Sequence, residues 1–420
     1  MALIKLPKMK SLWKLNPFKM IKRIRLLPER KKWDKHGPLK VAFYTDSYLP
    51  NVDGVVNSII SYSRELERRG NDVFIFTSGS DADSREFGNK KTFFFESVRF
   101  PPYPQYKVAI FPFTSYRYAK KTGAHLIHSH AIASMGLASI TCAKMLNLPL
   151  VGTFHTMVPK AGFVLTRSSI GKRIFSEVAW GAVRQFYAPF DLVTAPTKTI
   201  ERLLNHNGIE NTAVVPNGVD VNKFSTHIDR QLVRKLLGIR QDEKIILTSG
   251  RMSEEKNVDV LLRAFAKLLK VHKAKFIIQG DGPAKLKYVK IAKKLGLQKD
   301  VIFTGFVKDF EVPFFYAAAD VFTTASTFET QGLALLEAMA CGGVCVGAKS
   351  LAIPEMLHHG SNGYLFRPGD DADCEEKLLK ALNLKSTTRN AMSKNARQVA
   401  MEYSIERSTD KLLGAYRKVL

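Results

Sequence analysis

The chain has 420 residues, of which 45% are hydrophobic and 24% are charged, a composition that excludes a disordered protein. This length exceeds one ordinary hydrophobic core, so we expect two or three domains. The formal net charge of +26 and a pI near 9.8 favour a polyanionic partner, namely a nucleic acid, an anionic lipid surface or a phosphorylated substrate.

The cysteines and the hydropathy predict a cytoplasmic protein without a membrane span. No uncharged apolar run reaches about 18 residues, and the N-terminus lacks the apolar region and cleavage site of a secretory signal. The cysteines lack C-x-x-C spacing and predict reduced thiols rather than a disulfide framework. These cysteines are Cys142, Cys341, Cys345 and Cys374.

Residues 1–36 carry twelve basic and two acidic side chains, a balance of +10, with apolar residues between them. Such a basic amphipathic segment is typical of a helix lying in an anionic membrane interface. We predict that residues 1–38 associate with membrane; the alternative is a solvated basic tail, while three prolines disfavour a nucleic-acid recognition helix. The side chains predicted to contact lipid here are Trp13, Phe18, Lys22 and Arg23.

The pattern changes at residue 39 to alternating strands and helices. Lys40–Thr45 is an apolar strand, a helix follows to about Arg69, and residues 72–77 form the next strand. Strand, helix and strand at this spacing predict a parallel sheet. Further strands are predicted at residues 125–130, 150–155 and 191–195.

A second series of the same kind follows the turn at residues 216–218. Its predicted strands lie at 245–249, 275–279, 301–304, 321–324 and 344–346, and its helices lie around 257–271, 283–295 and 331–341. We therefore predict two Rossmann-like parallel-sheet domains, 39–217 and 218–400, with a helix in 401–420 packing back on the first. Such domains bind ligands at the carboxyl ends of their strands.

Two carboxylates, Glu329 and Glu337, flank an apolar run in a chain that is otherwise basic. Glu329 is predicted in a strand-to-helix loop and Glu337 on the helix, roughly 12 Å further along its axis. Carboxylates so far apart suit different parts of one elongated ligand, such as a nucleotide sugar. The alternative is one helix-end charge and an unrelated surface acid. The amides suited to phosphate at this helix start are those of Gln331, Gly332 and Leu333.

Two other loops could bind phosphates. Arg251 and Lys256 follow Gly250 after a buried strand, where two cations would neutralise a departing diphosphate. Gly54, beside Asp53, follows the first strand, and glycine lets the backbone approach a phosphate closely. Each loop also has an ordinary alternative, because cations are common in loops and Gly54 could be a turn glycine.

Histidines and glycines mark two further strand ends. His128 and His130 alternate on one strand and point to the same face, with His130 at the carboxyl end, where ligand-facing residues lie. His155 ends the next strand and could line the same cleft, or it could be structural. No cysteine or acidic residue lies near these histidines at the spacing of metal ligands, so we do not predict a metal site. The run Gly280, Asp281, Gly282 and Pro283 is expected to shape the nucleotide pocket.

The order of these motifs, with Asn217-Gly218-Val219-Asp220 between them, resembles retaining glycosyltransferases of family 4, which have the α/β GT-B fold. The resemblance covers about residues 39–415 and is most specific in the second half. It implies a nucleotide sugar as co-substrate, a UDP-hexose being favoured over a GDP-hexose, and no required metal or other cofactor.

The resemblance also implies roles for individual residues. Arg251 and Lys256 would bind the diphosphate, and the amide of Gly54 would contact phosphate. Glu329 would bind the hydroxyls of the donor sugar and Glu337 the ribose. His130 would lie near the 6-position of that sugar, completing a catalytic set of Arg251, Lys256, Glu329 and His130.

One departure from the commoner family form points to a branch. Where that form has Glu-Gly-Phe-Gly, this chain reads Glu329-Thr330-Gln331-Gly332. Together with the runs at residues 48–55 and 128–130, this variant resembles the diacylglycerol glucosyltransferases.

The acceptor must be inferred from the N-terminal half. Residues 107–205 carry twelve basic and three acidic side chains, and residues 162–187 mix apolar and basic residues like an interfacial helix. The alternative is a core helix with a solvated face. The residues predicted for the acceptor or the membrane are His155, Lys172, Arg173, Phe175 and Trp180.

These patterns favour a peripheral enzyme on the cytoplasmic face of the membrane that transfers a hexose, glucose being favoured, to a lipid such as diacylglycerol. Phosphatidylinositol, a polyprenyl-linked glycan or a soluble sugar are the alternative acceptors. A nucleic-acid-binding protein is disfavoured, because no sheet surface interleaves aromatic and basic residues. The oligomeric state is left open.

Overall fold

A computed structural model of the chain describes Asp34 and residues 37–51, 53–100, 103–110, 112–159 and 168–420. The predicted membrane segment 1–38, with Trp13, Phe18, Lys22 and Arg23, lies almost entirely outside the described residues.

The first half of the chain is built on an eight-stranded sheet with the order β4-β3-β2-β1-β5-β6-β7-β8. Every neighbouring pair is parallel except β3 and β4. The strands are β1 (Lys40–Thr45), β2 (Asp72–Gly79), β3 (Thr92–Phe100), β4 (Tyr103–Ala109), β5 (Leu126–Ser129), β6 (Leu150–Thr153), β7 (Leu192–Ala195) and β8 (Thr212–Val214). The helices are α1 (Gly54–Arg68), α2 (Asp81–Phe87), α3 (Ser115–Thr122), α4 (Ser134–Leu146), α5 (Ser169–Tyr187) and α6 (Lys198–His206).

The second half is built on a six-stranded parallel sheet with the order β11-β10-β9-β12-β13-β14. The strands are β9 (Lys244–Ser249), β10 (Ala274–Gln279), β11 (Val301–Gly305), β12 (Val321–Thr324), β13 (Val344–Ala348) and β14 (Gly363–Phe366). The helices are α7 (Gln231–Leu236), α8 (Val258–Leu268), α9 (Lys285–Lys294), α10 (Val312–Ala318), α11 (Leu333–Ala340), α12 (Ile353–Met356), α13 (Asp371–Leu382), α14 (Ser386–Glu402) and α15 (Ile405–Val419).

We call the units built on these two sheets the N-terminal and the C-terminal domain. Helices cover both faces of each sheet, so successive side chains of a central strand are buried on opposite sides. This is why the central strands are continuous apolar runs. The predicted class, two parallel-sheet α/β domains, is confirmed.

The chain crosses between the domains twice, and the two crossings touch. Val219 accepts a hydrogen bond from Ile405 at 2.9 Å and donates one to Tyr403 at 2.9 Å. A Cβ at Gly218 would lie 2.4 Å from Cα of Ile405, so only glycine fits there. After the second crossing, α15 packs against α1 of the N-terminal domain.

Candidate active site

An ion pair joins the two loops predicted to bind the donor. Nζ of Lys256 lies 2.5 Å from Oε1 of Glu329. Lys256 ends a short 3₁₀ turn after β9, and Glu329 follows β12, the neighbouring strand. Because the carboxyl ends of adjacent parallel strands meet at one edge, residues 73 positions apart in the chain become partners.

The side chain of Asn257 joins these two loops through hydrogen bonds. Its side-chain amide donates to the carbonyl of Ala325 at 3.2 Å and lies 3.3 Å from the hydroxyl of Thr327. Its backbone has φ +48°, a left-handed conformation that asparagine tolerates better than most residues. Sequence reasoning missed Asn257, although it follows Lys256 directly at the start of α8.

The charge on Glu329 is maintained by its partners. Burial alone would raise the pKa of Glu329, but the Lys256 ammonium and a hydrogen bond from Ser326 hold that pKa below its ordinary value. Glu329 is therefore an ionised carboxylate, which can accept hydrogen bonds from sugar hydroxyls. Arg251 lies partly buried in the loop that carries Lys256.

Glu337 has the opposite environment. It lies on α11, and the hydroxyl of Tyr316 on α10 donates to its Oε2 at 2.8 Å. Burial raises the pKa of Glu337 above its ordinary value, although Tyr316 and the positive charge of Lys223 oppose this shift. A partly buried carboxylate with one protein donor retains capacity to accept ligand hydroxyls. Tyr316 was not predicted as part of the site.

The N-termini of one helix from each domain lie beside each other. A Cβ built on Gly54, at the start of α1, would lie 3.9 Å from Cδ1 of Leu333, at the start of α11. Gly332 precedes α11 with φ +100°, so the helix begins two residues later than predicted. Asp53 caps α1 by accepting from the amides of Val55 and Val56, so its carboxylate positions the turn that carries Gly54.

The glycines of the loop predicted to shape the nucleotide pocket permit close backbone packing. A Cβ on Gly280 would lie 2.0 Å from the carbonyl oxygen of Gly250, and one on Gly282 would lie 2.4 Å from that of Met252. The amide of Met252 donates to the carbonyl of Asp281 at 2.9 Å. The Gly280–Gly282 turn thus supports the loop that carries Arg251, and the Asp281 carboxylate accepts from Lys285 at 2.7 Å.

Three histidines form a cluster at the carboxyl ends of β5 and β6, in which His128 and His130 are buried and His155 is partly buried. Nδ1 of His130 lies 2.9 Å from Nε2 of His155, and the rings of His128 and His130 lie 4.1 Å apart on one face. Burial lowers the pKa of all three, to about 4 for His155 and about 3 for His128. Nε2 of His130 is buried and has no hydrogen-bond partner among the described residues.

His128 is structural rather than ligand-facing. Its Nδ1 lies 2.7 Å from the hydroxyl of Tyr416 on α15, and its Nε2 lies 2.7 Å from the hydroxyl of Thr153. Both ring nitrogens are therefore bonded to protein hydroxyls, and α15 supports the strand that precedes His130.

Because burial lowers the pKa of His128, this residue is expected to make the free energy of unfolding depend on pH. The unfolded chain binds a proton at this histidine near pH 6.5, whereas the folded chain does so only near its pKa of about 3. We expect the free energy of unfolding to fall by about 1.4 kcal/mol per pH unit from this residue as pH decreases below 6.5. Urea unfolding at pH 7.5, 6.0 and 5.0 measures the slope.

A comparison of two histidine variants tests this assignment. His128→Gln is expected to be less stable at pH 7.5. Its free energy of unfolding should depend less steeply on pH, because up to one proton fewer is taken up on unfolding. His206→Gln, at an exposed position, should keep the wild-type slope. Equal slopes for wild type and His128→Gln would contradict the assignment.

Gln331, predicted to bind the donor, uses its side chain elsewhere. Its Oε1 accepts from the amide of Asn217 at 2.8 Å, its Nε2 donates to the carbonyl of Asn217 at 2.9 Å, and the residue is 2% exposed. Both polar atoms are thus satisfied by the interdomain crossing. The neighbouring Thr330 donates to the carbonyl of His155 at 3.1 Å.

The helix α5, predicted to face the acceptor or the membrane, has a buried and an exposed face. Helical geometry of about 100° per residue separates a buried face from an exposed one. Trp180 packs inward against Phe154 with ring centroids 6.1 Å apart, and Phe175 is partly buried at the other flank. Arg173 is exposed, and the side chain of Lys172 lies outside the described residues. The exposed apolar residues of α5 are Ile170, Ile174 and Val178.

The described part of the chain has neither a cluster of metal ligands nor a membrane-spanning helix. No group of three or more His, Cys, Asp or Glu side chains there could hold a metal ion. In the same ranges, no helix combines the length and the apolar character needed to cross a bilayer.

Comparison with solved structures identifies the fold. Anabaena HepE in complex with UDP and glucose aligns with a TM-score of 0.74 at 21% identity, covering 90% of this chain and 100% of that one. Sucrose-phosphate synthase from Thermosynechococcus elongatus aligns with a TM-score of 0.75 at 18% identity, covering 90% and 98%. The GT-B prediction is confirmed.

Comparison with protein families and curated relatives identifies the family. The model described as Glycosyltransferase Family 4 matches residues 52–223, and that described as Glycosyl transferases group 1 matches residues 229–399. Alpha-monoglucosyldiacylglycerol synthase of Streptococcus pneumoniae is 34% identical over 311 residues, covering 72% of this chain and 70% of the relative. The enzyme of the same name from Acholeplasma laidlawii is 27% identical over 385 residues, covering 88% and 94%. The chain therefore belongs to glycosyltransferase family 4.

Proposed function

We propose that this glycosyltransferase moves a hexose, glucose being favoured, from UDP to a membrane glycerolipid such as diacylglycerol, with retention of the anomeric configuration. The observation that carries the proposal is the Lys256–Glu329 ion pair, which is linked through Thr330 and His155 to the buried face of His130. The names of the Streptococcus and Acholeplasma relatives support the lipid acceptor, and the UDP in the Anabaena structure supports the nucleotide.

The donor would occupy the C-terminal domain in an extended form. Glu337 would accept from the ribose hydroxyls, while Arg251 and Lys256 would face the diphosphate. Glu329 would accept from hydroxyls of the hexose. The amide of Gly54 would reach the phosphates from the N-terminal domain, because α1 begins beside Leu333.

In the reaction, the bond between the anomeric carbon and the diphosphate oxygen breaks, and the acceptor hydroxyl oxygen forms a bond to the same face of that carbon. The acceptor proton goes to the departing phosphate oxygen. Lys256 and Arg251 stabilise the negative charge that grows on the diphosphate. His130 is held neutral by burial, so no imidazolium repels the positive charge that develops on the sugar.

The acceptor lipid would be reached through a surface on α5. Ile170, Ile174 and Val178 follow one another at four-residue spacing and are 72%, 57% and 67% exposed. Arg173 lies beside them in an ion pair with Glu177 at 3.2 Å, so it is the exposed apolar side chains that suit this face to a membrane interface. This face, together with the basic segment 1–38, supports a peripheral location at the cytoplasmic side of a membrane.

The reaction is tested with labelled UDP-glucose, UDP-galactose and GDP-mannose on vesicles that contain phosphatidylglycerol, diacylglycerol, phosphatidylinositol and a polyprenyl lipid, with a soluble sugar added to the buffer. We expect label from UDP-glucose to enter the organic phase, and we expect mass spectrometry and NMR to identify an α-linked hexosyl glycerolipid. If label appeared only in phosphatidylinositol, a polyprenyl lipid or a water-soluble sugar, that molecule and not diacylglycerol would be the acceptor. A β-linked product would exclude retention.

The membrane surface has its own expected result. Replacing Ile170, Ile174 and Val178 together with serine should weaken binding to anionic vesicles at least about tenfold, because apolar area is no longer buried in the interface. Vesicle co-sedimentation measures this, and transfer to a short-chain diacylglycerol in detergent should remain within about twofold.

Leu286 provides a matched control for this surface. It is 75% exposed on the lysine-rich helix α9 of the C-terminal domain. Leu286→Ser should leave vesicle binding unchanged. If Leu286→Ser weakened binding as much as the triple variant, α5 would not be the membrane-contacting surface.

A further inference from the structure

Three side chains of the C-terminal domain reach across the cleft to the N-terminal domain or to the crossing between the domains. They are Thr330, Gln331 and Glu355. None is accounted for by contacts to the proposed donor, and all three flank the loop that carries Glu329. We refer to them as the interdomain latch.

Glu355 makes the strongest of these contacts. Its Oε1 accepts from the amide of Lys198 at 2.9 Å, and its Oε2 accepts from the amide and the hydroxyl of Thr199 at 3.0 Å each. Lys198 and Thr199 are the first residues of α6, so a carboxylate of one domain caps a helix of the other. Negative charge at a helix N-terminus is favourable, and hydrogen bonds to an ionised acceptor are about twice as strong as neutral ones.

The segment that carries Glu355 also supports the donor loop. The amide of Ala352, just before α12, donates to the carbonyl of Glu329 at 3.4 Å, and the hydroxyl of Ser350 donates to the carbonyl of Thr327 at 3.4 Å. The same short segment therefore donates a hydrogen bond to the backbone of Glu329 and, through Glu355, accepts hydrogen bonds from the start of α6.

Thr330 closes the loop of contacts from the other side. The hydroxyl of Thr197, the N-cap of α6, donates to the carbonyl of Thr330 at 3.0 Å. The hydroxyl of Thr330 donates to the carbonyl of His155, whose ring binds His130. If the domains separated, the bonds of Glu355 and of Thr330 to the N-terminal domain would break together.

We propose that Glu355 is a positioning residue that couples the closed arrangement of the two domains to the placement of the donor loop. Its carboxylate holds α6 beside residues 329–331, which fixes the distance between Glu329 on one domain and His130 on the other. Glu355 touches no reacting atom in this role. The inference rests on the proposed function only for its activity readout, since the arrangement itself is measured without substrate.

The test combines turnover with hydrogen–deuterium exchange. In Glu355→Ala, kcat is expected to fall about tenfold, because a small displacement of catalytic groups costs about that much or more. The Kd for UDP should change less than about threefold, because most of its proposed contacts lie within the C-terminal domain. Exchange should rise at the amides of residues 198 and 199 and also at residues 327–331.

Matched variants separate positioning from simple structural support. Glu355→Gln keeps the side-chain volume and one acceptor oxygen, so it is expected to lose less activity and to remain folded if the alanine variant does not. Glu376→Ala removes an exposed carboxylate of α13 and should match wild type. Thr330→Val should raise exchange at residues 327–331 without changing residues 198 and 199.

Two results would overturn the inference. One is faster exchange confined to residues 198 and 199 with wild-type kcat, which would make Glu355 a helix cap only. The other is a wild-type exchange pattern in Glu355→Ala. If the wild-type chain transferred no hexose to any lipid, the proposed function would fail while the exchange experiment still decided the latch.

Discussion

Replacing Lys256 with alanine is expected to lower kcat by roughly 10²–10³-fold, the usual cost of removing one pre-organised group that stabilises a developing anion. Lys256 does two things at once, since its ammonium faces the proposed diphosphate and lies 2.5 Å from Glu329. Without it, the Glu329 carboxylate loses the charge that holds its pKa down and would repel the donor phosphates. Initial rates at saturating UDP-glucose measure the effect.

Lys287→Ala is the matched control for this prediction. Lys287 also pairs with a glutamate, Glu254, at 2.8 Å, but the two side chains are 51% and 59% exposed. Exposed ion pairs contribute at most about 1 kcal/mol, so turnover should remain within about twofold. Lys256→Ala combined with Glu329→Ala should be less harmful than the product of the single effects, because the residues act as a unit. Near-normal turnover of Lys256→Ala would refute its role.

The central strands could be predicted because burial on both faces makes them continuous apolar runs. β1, β9 and β12 have this character, and their predicted bounds match the structure closely. The antiparallel pair β3 and β4 was not predicted, since its strands mix charged and aromatic residues and its pairing depends on the neighbouring β2. The strands β8 and β14 at the sheet edges were missed because three or four residues are too few to show a pattern.

The site could be predicted only as far as one domain determines it. The carboxyl end of a strand is recognisable from sequence, so Lys256 and Glu329 were each placed in a loop that follows a strand. That the two loops are neighbours follows only from the pairing of β9 with β12. The side-chain contacts of Gln331 could not be predicted, because the partner, Asn217, lies 114 positions away on the crossing between the domains. The role of the Gln331 backbone amide in binding phosphate stays a prediction. Sequence periodicity shows which side chains share a face, but it does not show which face the neighbouring domain covers.

The same limit explains α5. Its apolar and basic residues predicted an interfacial helix, and Trp180 was counted among the residues that contact the acceptor or the membrane. In the structure, the ring of Trp180 packs against Phe154, which also contacts Tyr187. The smaller Ile170, Ile174 and Val178 are left at the surface.

Glu337→Ala is expected to raise the Kd for UDP by roughly ten- to hundredfold, because a hydrogen bond to a charged group contributes about 1.5–3 kcal/mol. The ribose lies far from the bond that breaks, so its contacts are the same in the bound donor and in the transition state. The KM for the donor should therefore rise while kcat changes little. Titration calorimetry with UDP measures the binding loss directly.

The ribose assignment is decided by a nucleotide that lacks the hydroxyls. 2′,3′-Dideoxy-UDP should bind wild type and Glu337→Ala with the same Kd, since the contact is already absent. Tyr316→Phe removes the hydroxyl that donates to Glu337 at 2.8 Å and should cost less than Glu337→Ala. Because burial raises the pKa of Glu337, wild-type binding of UDP should weaken as pH falls toward that pKa, and Glu337→Ala should lose this dependence. An equal loss of affinity for UDP and for its dideoxy analogue would place Glu337 away from the ribose.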